Sequence, residues 1–261
     1  MTKVETIFQK ELQLIHDKTI KQFVIECFDK LCPDYFWTCP CSTTGKYHPQ
    51  VSLGVGGLVR HTKLAVWWGI ELISALGTSP ELKDIPTIQL QDEVIATLLL
   101  HDMVKNGKGL NAQGYSLERG VTGTHGVTLA VKIADHPDLC LDNDDSFYRI
   151  VEGIGSHMGI WTTVPICRPD SIAYPDQKAF ANLIHLADYC ASRKVDSIYS
   201  ELTKEKNADI VNATCKNCKE NCNGTIKNTT NTKETTQSPT CPGVRPTESH
   251  QTTAENICGP Q

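Results

Sequence analysis

Leu202 is the last leucine and Tyr199 the last aromatic residue, although the chain continues to Gln261. This loss of apolar residues is the strongest constraint on the fold. From Thr203 onward Thr, Asn, Lys and Glu dominate and no apolar period can be traced. Such a segment buries too little surface to offset the entropy of ordering it. Residues 203–261 are therefore expected to be a low-complexity, disordered tail rich in Cys, Thr and Asn, and residues 1–202 must carry the core. The charge balance, 25 Lys and Arg against 30 Asp and Glu, argues against stable binding of duplex DNA, which calls for a basic surplus. It leaves room for a small phosphorylated substrate held in a local basic pocket. The N-terminal MTKVETIFQKELQLIHDK lacks the apolar centre of a signal peptide, and no apolar run reaches the roughly 18 residues of a membrane span. The expectation is a soluble, cytoplasmic protein with no membrane partner.

Within residues 1–202 the apolar spacing reads as helical almost throughout, so the expected fold class is all-α. Val4, Ile7, Phe8, Leu12, Ile15, Phe23, Cys27 and Leu31 predict a long N-terminal helix, with residues 1–32 packing on a domain formed by 33–202. Residues 33–57, with Pro33, Pro40, Gly45, Pro49, Gly54, Gly56 and Gly57, predict a long structured loop. Helices follow over Leu58–Leu76 and Gln91–Val104, the second nearly apolar all round and therefore central. Two more are expected over 119–135 and 145–157, and a last one over Asp176–Leu202, just after Pro175.

Chemistry concentrates in the histidines. His61 lies early in the Leu58 helix, and His101 and Asp102 are adjacent at the end of an apolar run. His125 lies in GTHGV, His157 in GSHMG, and Asp188 in HLADYCASRK. Each alone has a structural reading: Asp102 closing a helix end, Asp188 pairing with Arg193 or Lys194, His125 and His157 lining glycine turns. Together, four histidines and two aspartates in apolar helical contexts favour a metal, because a buried charge without a partner is expensive. Imidazole and carboxylate ligands suit Mn, Fe, Co, Ni or Zn, and less well Mg. Lys105, one turn past His101, can reach the same mouth or simply complement the helix dipole. Lys46 and His48, in STTGKYHP, are candidates for a phosphate-facing loop, although TTGK lacks the first glycine of a P-loop. Arg60 and Arg119 are weaker candidates. His185, three residues before Asp188, either supports the site or packs the core. His16, His136 and His250 are assigned to the surface, and Trp67 and Trp68 to the core.

In their order, these motifs resemble the HD-domain metal-dependent phosphohydrolase superfamily. GGLVRHT resembles the GGL-x-x-HT of its exoribonuclease-like branch, HDMVK its HD-x-x-K, and SHMG and HLADYCASR its later motifs. The resemblance spans residues 45–196. It implies an HD-type helical bundle in which His61, His101, Asp102 and Asp188 hold one metal. It places His125 and His157 on a second, with Asp102 bridging. It further implies hydrolysis of a nucleotide or short nucleic-acid phosphoester by an activated water, with Asp102 and Lys105 as catalytic residues and Lys46, His48 and Lys105 facing the substrate. The same ligand order occurs in HD-type di-iron oxygenases, and a non-catalytic, nucleotide-binding regulatory module is the third alternative.

Five of the twelve cysteines lie in the tail. Cys215, Cys218 and Cys222, with Cys241, contain a zinc-type start but not the second paired motif that a zinc site needs. A flexible tail is the favoured reading and a small zinc knuckle the alternative.

Overall fold

A computed structural model of the protein describes residues 1–42, 48–76, 79–105 and 121–193. These lie in one unit, Met1–Asp209. Lys46, Arg119, Lys194 and the tail, including Cys215, Cys218, Cys222 and Cys241, lie outside the described residues. The described residues form eight α-helices and six 3-10 turns, with no strand among them. None of the described helices is long and apolar enough to cross a membrane.

The N-terminal segment corrects the expectation of one long helix. It is three: α1 Lys3–Ile7, α2 Gln9–Gln13 and α3 Lys18–Leu31. Phe8 leaves helical geometry between the first two, and its ring is buried against Phe28, Phe36 and Trp37 with centroids 5.5–6.3 Å away. Asp17 then starts α3 as an N-cap, its carboxylate accepting the Thr19 and Ile20 N–H groups. The linker between α2 and α3 is pinned from the core, because Asp92 accepts the N–H groups of His16 and Asp17 at 2.9 and 2.8 Å. Apolar residues recur through all three pieces, so their spacing alone suggests continuity.

The remaining helices are α4 Gly57–Leu76, α5 Thr87–Leu100, α6 His125–Ala134, α7 Asp144–Ser156 and α8 Pro175–Ala191. Helix α5 is the centre, packing against α3, α4, α7 and α8, while α6 packs on α7, and α8 on α4 and α7. Every residue from Asp92 to Leu100 is buried, as its nearly continuous apolar sequence requires. Its polar members are all partnered. Glu93 accepts from Ser146 Oγ at 2.6 Å, from Arg149 Nε and Nη2 of α7 at 2.7 and 2.8 Å, and from Gln89 at 2.9 Å.

Two further expectations are corrected. Helix α8 ends at Ala191 rather than Leu202, its last turn tightened by an i to i+3 bond from the Ser192 N–H to the Tyr189 carbonyl. Trp67 is 57% exposed, whereas Trp68 packs against the core. Successive helical residues point about 100° apart, and at this end of the buried face the step that turns Trp68 inward turns Trp67 outward.

The loop before α4 is ordered where described. Cys39 and Cys41 are buried, and the Cys39 carbonyl accepts the Leu58 N–H at 2.9 Å. Arg60 donates to the carbonyls of Val51, Leu53 and Val55, so this cation staples the loop.

The Glu93–Arg149 pair yields a stability prediction. Arg149→Leu strands the Glu93 carboxylate in the core and is expected to cost about 3–5 kcal/mol in urea unfolding. A surface control, Lys178→Ala, should stay within about 0.5 kcal/mol. An equal, small loss in both variants would show that the pair does not hold α5 to α7.

Candidate metal centre

Six side chains from five helix termini or first turns converge on one buried point. His61 comes from the first turns of α4, and His101 and Asp102 from the turn that ends α5. His125 is the first residue of α6, His157 caps the C-terminus of α7, and Asp188 comes from the last turn of α8. The four histidines and Asp102 are at most 2% exposed, whereas the Asp188 side chain is 16% exposed.

Three of the imidazoles are fixed in the same way. His101 Nδ1 lies 2.7 Å from the Leu98 carbonyl, His125 Nδ1 2.9 Å from that of Thr122, and His157 Nδ1 2.7 Å from that of Ile154. A carbonyl only accepts, so each Nδ1 carries a proton and each ring turns its Nε2 inward, a bare donor atom in the ring's neutral form. This is the arrangement of a metal-ligating histidine whose second nitrogen is held by the backbone. The bare nitrogens then crowd together: His125 and His157 Nε2 are 3.0 Å apart, and His61 and His101 Nε2 3.4 Å. Facing lone pairs at these distances repel unless a cation lies among them. Gly126 makes room for one pair, since a Cβ there would come within 2.9 Å of the His157 ring.

The Asp102 carboxylate divides between the two histidine pairs. Its Oδ1 lies 2.7 Å from His125 Nε2 and 3.4 Å from His157 Nε2, and its Oδ2 3.3 Å from His61 and 3.5 Å from His101. Asp188 Oδ1 sits 2.9 Å from His61 and 3.6 Å from His101. Two groups thus present donor atoms within 4.8 Å of one another: His61, His101, Asp102 and Asp188, and Asp102, His125 and His157. The residues fit a metal, by donor chemistry and by the direction of the bare nitrogens.

Protonation agrees with that fit. Burial alone would raise the Asp102 and Asp188 carboxyls. Lys105 overcomes it at Asp102, and the neighbouring His101 and His61 rings at Asp188, holding both well below the usual carboxylate range. Burial pushes His157 down to about 4 despite its bond to Asp102, which leaves it neutral and able to ligate. His61 behaves differently. Burial would lower it, but Cys41, Asp102 and Asp188 hold it well above its ordinary value. Lys105 Nζ stands 2.6 Å from Asp102 Oδ2, and although burial opposes its charge, Asp102 and Cys41 keep it protonated.

Cys41 is the residue that the sequence analysis did not single out. It shares no metal-type spacing with the ligands, and only the fold brings it, with His48 and His61, into a group whose donor atoms lie within 4.8 Å. Burial would raise the Cys41 thiol, but His61, Lys105 and His48 bring it down to about 5, a thiolate at neutral pH. His61 Nδ1 is buried with no well-aligned hydrogen-bond partner, and the neighbouring Cys41 thiolate is a negative group that favours the ring's charged form. His48, a candidate for the substrate loop, lies instead in this group, its ring 5.5 Å from that of His61 and its Nε2 3.4 Å from Ser192 Oγ. His185 donates from Nδ1 to the His157 carbonyl at 2.7 Å and so supports the backbone of a candidate ligand.

Two outcomes are expected. Asp102→Asn should abolish stoichiometric metal content while the helical circular dichroism persists; full metal content in the variant would remove Asp102 from both donor groups. Cys41→Ser should weaken metal binding about 10–100-fold, the usual loss when a ligand's supporting partner is removed, measured by chelator competition. Unchanged affinity would leave Cys41 a packing residue.

The chain matches no protein-family model, no curated protein and no solved structure.

Proposed function

We propose that this chain is an HD-type, metal-dependent phosphohydrolase that cleaves a nucleotide or a short nucleic-acid phosphoester with water at a dinuclear site. The observation that carries the reading is the divided Asp102 carboxylate, one oxygen toward each histidine pair, with a buried lysine against it. His61, His101, Asp102 and Asp188 would hold one ion, and Asp102, His125 and His157 the other, from Mn, Fe, Co, Ni, Zn or Mg. When bound, such ions polarise a phosphoryl oxygen and lower the pKa of a water.

The chain's own residues supply the rest. Imidazoles locked to backbone carbonyls are already in place and need no reorganisation as charge develops. Burial keeps bulk water from the cluster and strengthens its electrostatics. Lys105, a flexible cation beside Asp102, is suited to receive a phosphate oxygen and offset its charge.

The test is a metal analysis followed by phosphate-release assays on nucleotides and oligonucleotides with each ion. Turnover is expected with at least one of Mn, Co, Ni or Fe and should vanish in Asp102→Asn. Lys105→Met should keep its metal yet lose about 10²–10³-fold in kcat/KM. Substrate-dependent oxygen uptake by the iron-loaded protein would replace this reading with the oxygenase. Tight nucleotide binding without turnover for any ion would replace it with the regulatory module.

A further inference from the structure

Beside the metal centre stands an aromatic shelf that the proposed chemistry does not use. Helix α7 ends at His157, and two residues later Gly159 takes a φ of +56°, in the left-handed region that favours glycine. A Cβ at Gly159 would fall 2.4–2.7 Å from three atoms of the His185 ring. The chain therefore doubles back tightly against His185, which is itself bonded to the His157 carbonyl, and turns the next two side chains outward. Ile160 is 66% and Trp161 50% exposed. The Trp161 ring rests on His185 at 5.5 Å and stacks on Tyr189 at 5.6 Å with planes 13° apart. Tyr189 directly follows Asp188 on α8. One turn later Arg193 lays its guanidinium 3.7 Å over the Tyr189 ring and 5.8 Å from that of Trp161.

The shelf is built rather than incidental. Its two rings come from separate segments, each within four residues of a candidate ligand, and are aligned by a strained glycine turn and a histidine bond. Asp188 is the most exposed of the six candidate ligands, so the cluster reaches solvent at α8, the helix that carries Tyr189 and Arg193. Leaving the indole 50% and the phenol 36% exposed has a cost that a planar ligand laid on this stack removes. Aromatic faces bracketed by a guanidinium accept any nucleobase, because every base has a π-face.

We propose that Trp161, Tyr189 and Arg193 form the base subsite, so that the phosphoester cleaved at the metal centre belongs to a nucleoside. This inference rests on the phosphohydrolase reading and names the residues that hold its nucleoside. Recognition is by stacking, so the four bases are accepted alike.

The experiment uses the full-length protein in two arms. In the first, the metal-loaded enzyme is assayed on the four nucleoside 5′-monophosphates and on ribose 5-phosphate. The nucleotides should be preferred, and Trp161→Ala should shrink that preference in kcat/KM about 10–100-fold for all four bases, while Trp161→Phe retains most of it. Circular dichroism of the variants checks the fold. In the second arm, adenosine binding to chelated protein is followed by equilibrium dialysis and should fall by a similar factor in Trp161→Ala. Equal hydrolysis of ribose phosphate and nucleotides, unmoved by Trp161→Ala, would overturn the subsite and leave the hydrolase standing. Trp161-dependent adenosine binding with no hydrolysis under any metal would do the reverse. Neither binding nor hydrolysis would overturn both.

Discussion

The carboxylate of Asp102 carries a negative charge at the C-terminal end of the most deeply buried helix, where both burial and the helix dipole work against it. Everything around it answers that charge. Lys105 pairs with one oxygen and His61, held in its charged form, lies 3.3 Å from the same oxygen, while His101, His125 and His157 aim Nε2 at the carboxylate as metal ligands would. An ionised group there is tolerable only if it is fully surrounded by partners. Helix α5 is buried on all sides and carries that carboxylate to the meeting point of four other helices, so the bundle's packing and the site's assembly have one origin.

The helix ends serve both purposes. A helix leaves its last four carbonyls without intrahelical donors. Leu98 in α5 and Ile154 in α7 are among these, and their carbonyls accept the Nδ1–H of His101 and His157, residues that directly follow the two helices. One bond thus satisfies an orphan carbonyl and selects the tautomer that leaves Nε2 bare. Placing histidine one residue past a helix end is therefore a local device for aiming Nε2, and it explains why these candidate ligands lie at termini rather than mid-helix.

That device is partly legible in sequence. Apolar runs outline α4 and α7 closely, because each buries one broad face, whereas α5 starts at Thr87 and ends at Leu100, four residues earlier at each end than its apolar run suggests; the His101–Asp102 pair stands out by its polarity after that run. The six polar residues singled out on this ground come together in space. What escaped has specific causes. The N-terminal break at Asp17 is set by a cap that apolar periodicity overrides, and its pin, Asp92, lies far away in the chain. Trp67 is turned to solvent by the 100° step that turns Trp68 inward. Cys41 meets His61 only because the loop before α4 folds back, held by Arg60 and by the Cys39 carbonyl. Trp161 meets Tyr189 through a glycine turn and a shared histidine, a long-range contact with no periodic signature.

The cluster divides into rigid and adjustable parts. His101, His125 and His157 are tied to backbone, so their nitrogens move only if helices move. Asp188, Lys105 and His48 are held by side chains alone and reach toward solvent or the loop before α4. Among the described residues of the cluster, Lys105 combines a full charge with a long flexible stem. Its ammonium occupies Asp102 Oδ2, the oxygen that also faces His61 and His101. Two cations cannot share that oxygen without mutual repulsion, so filling the His61 side favours turning Lys105 away from Asp102. In the phosphohydrolase proposed above, that displacement would free the ammonium to meet an anionic substrate.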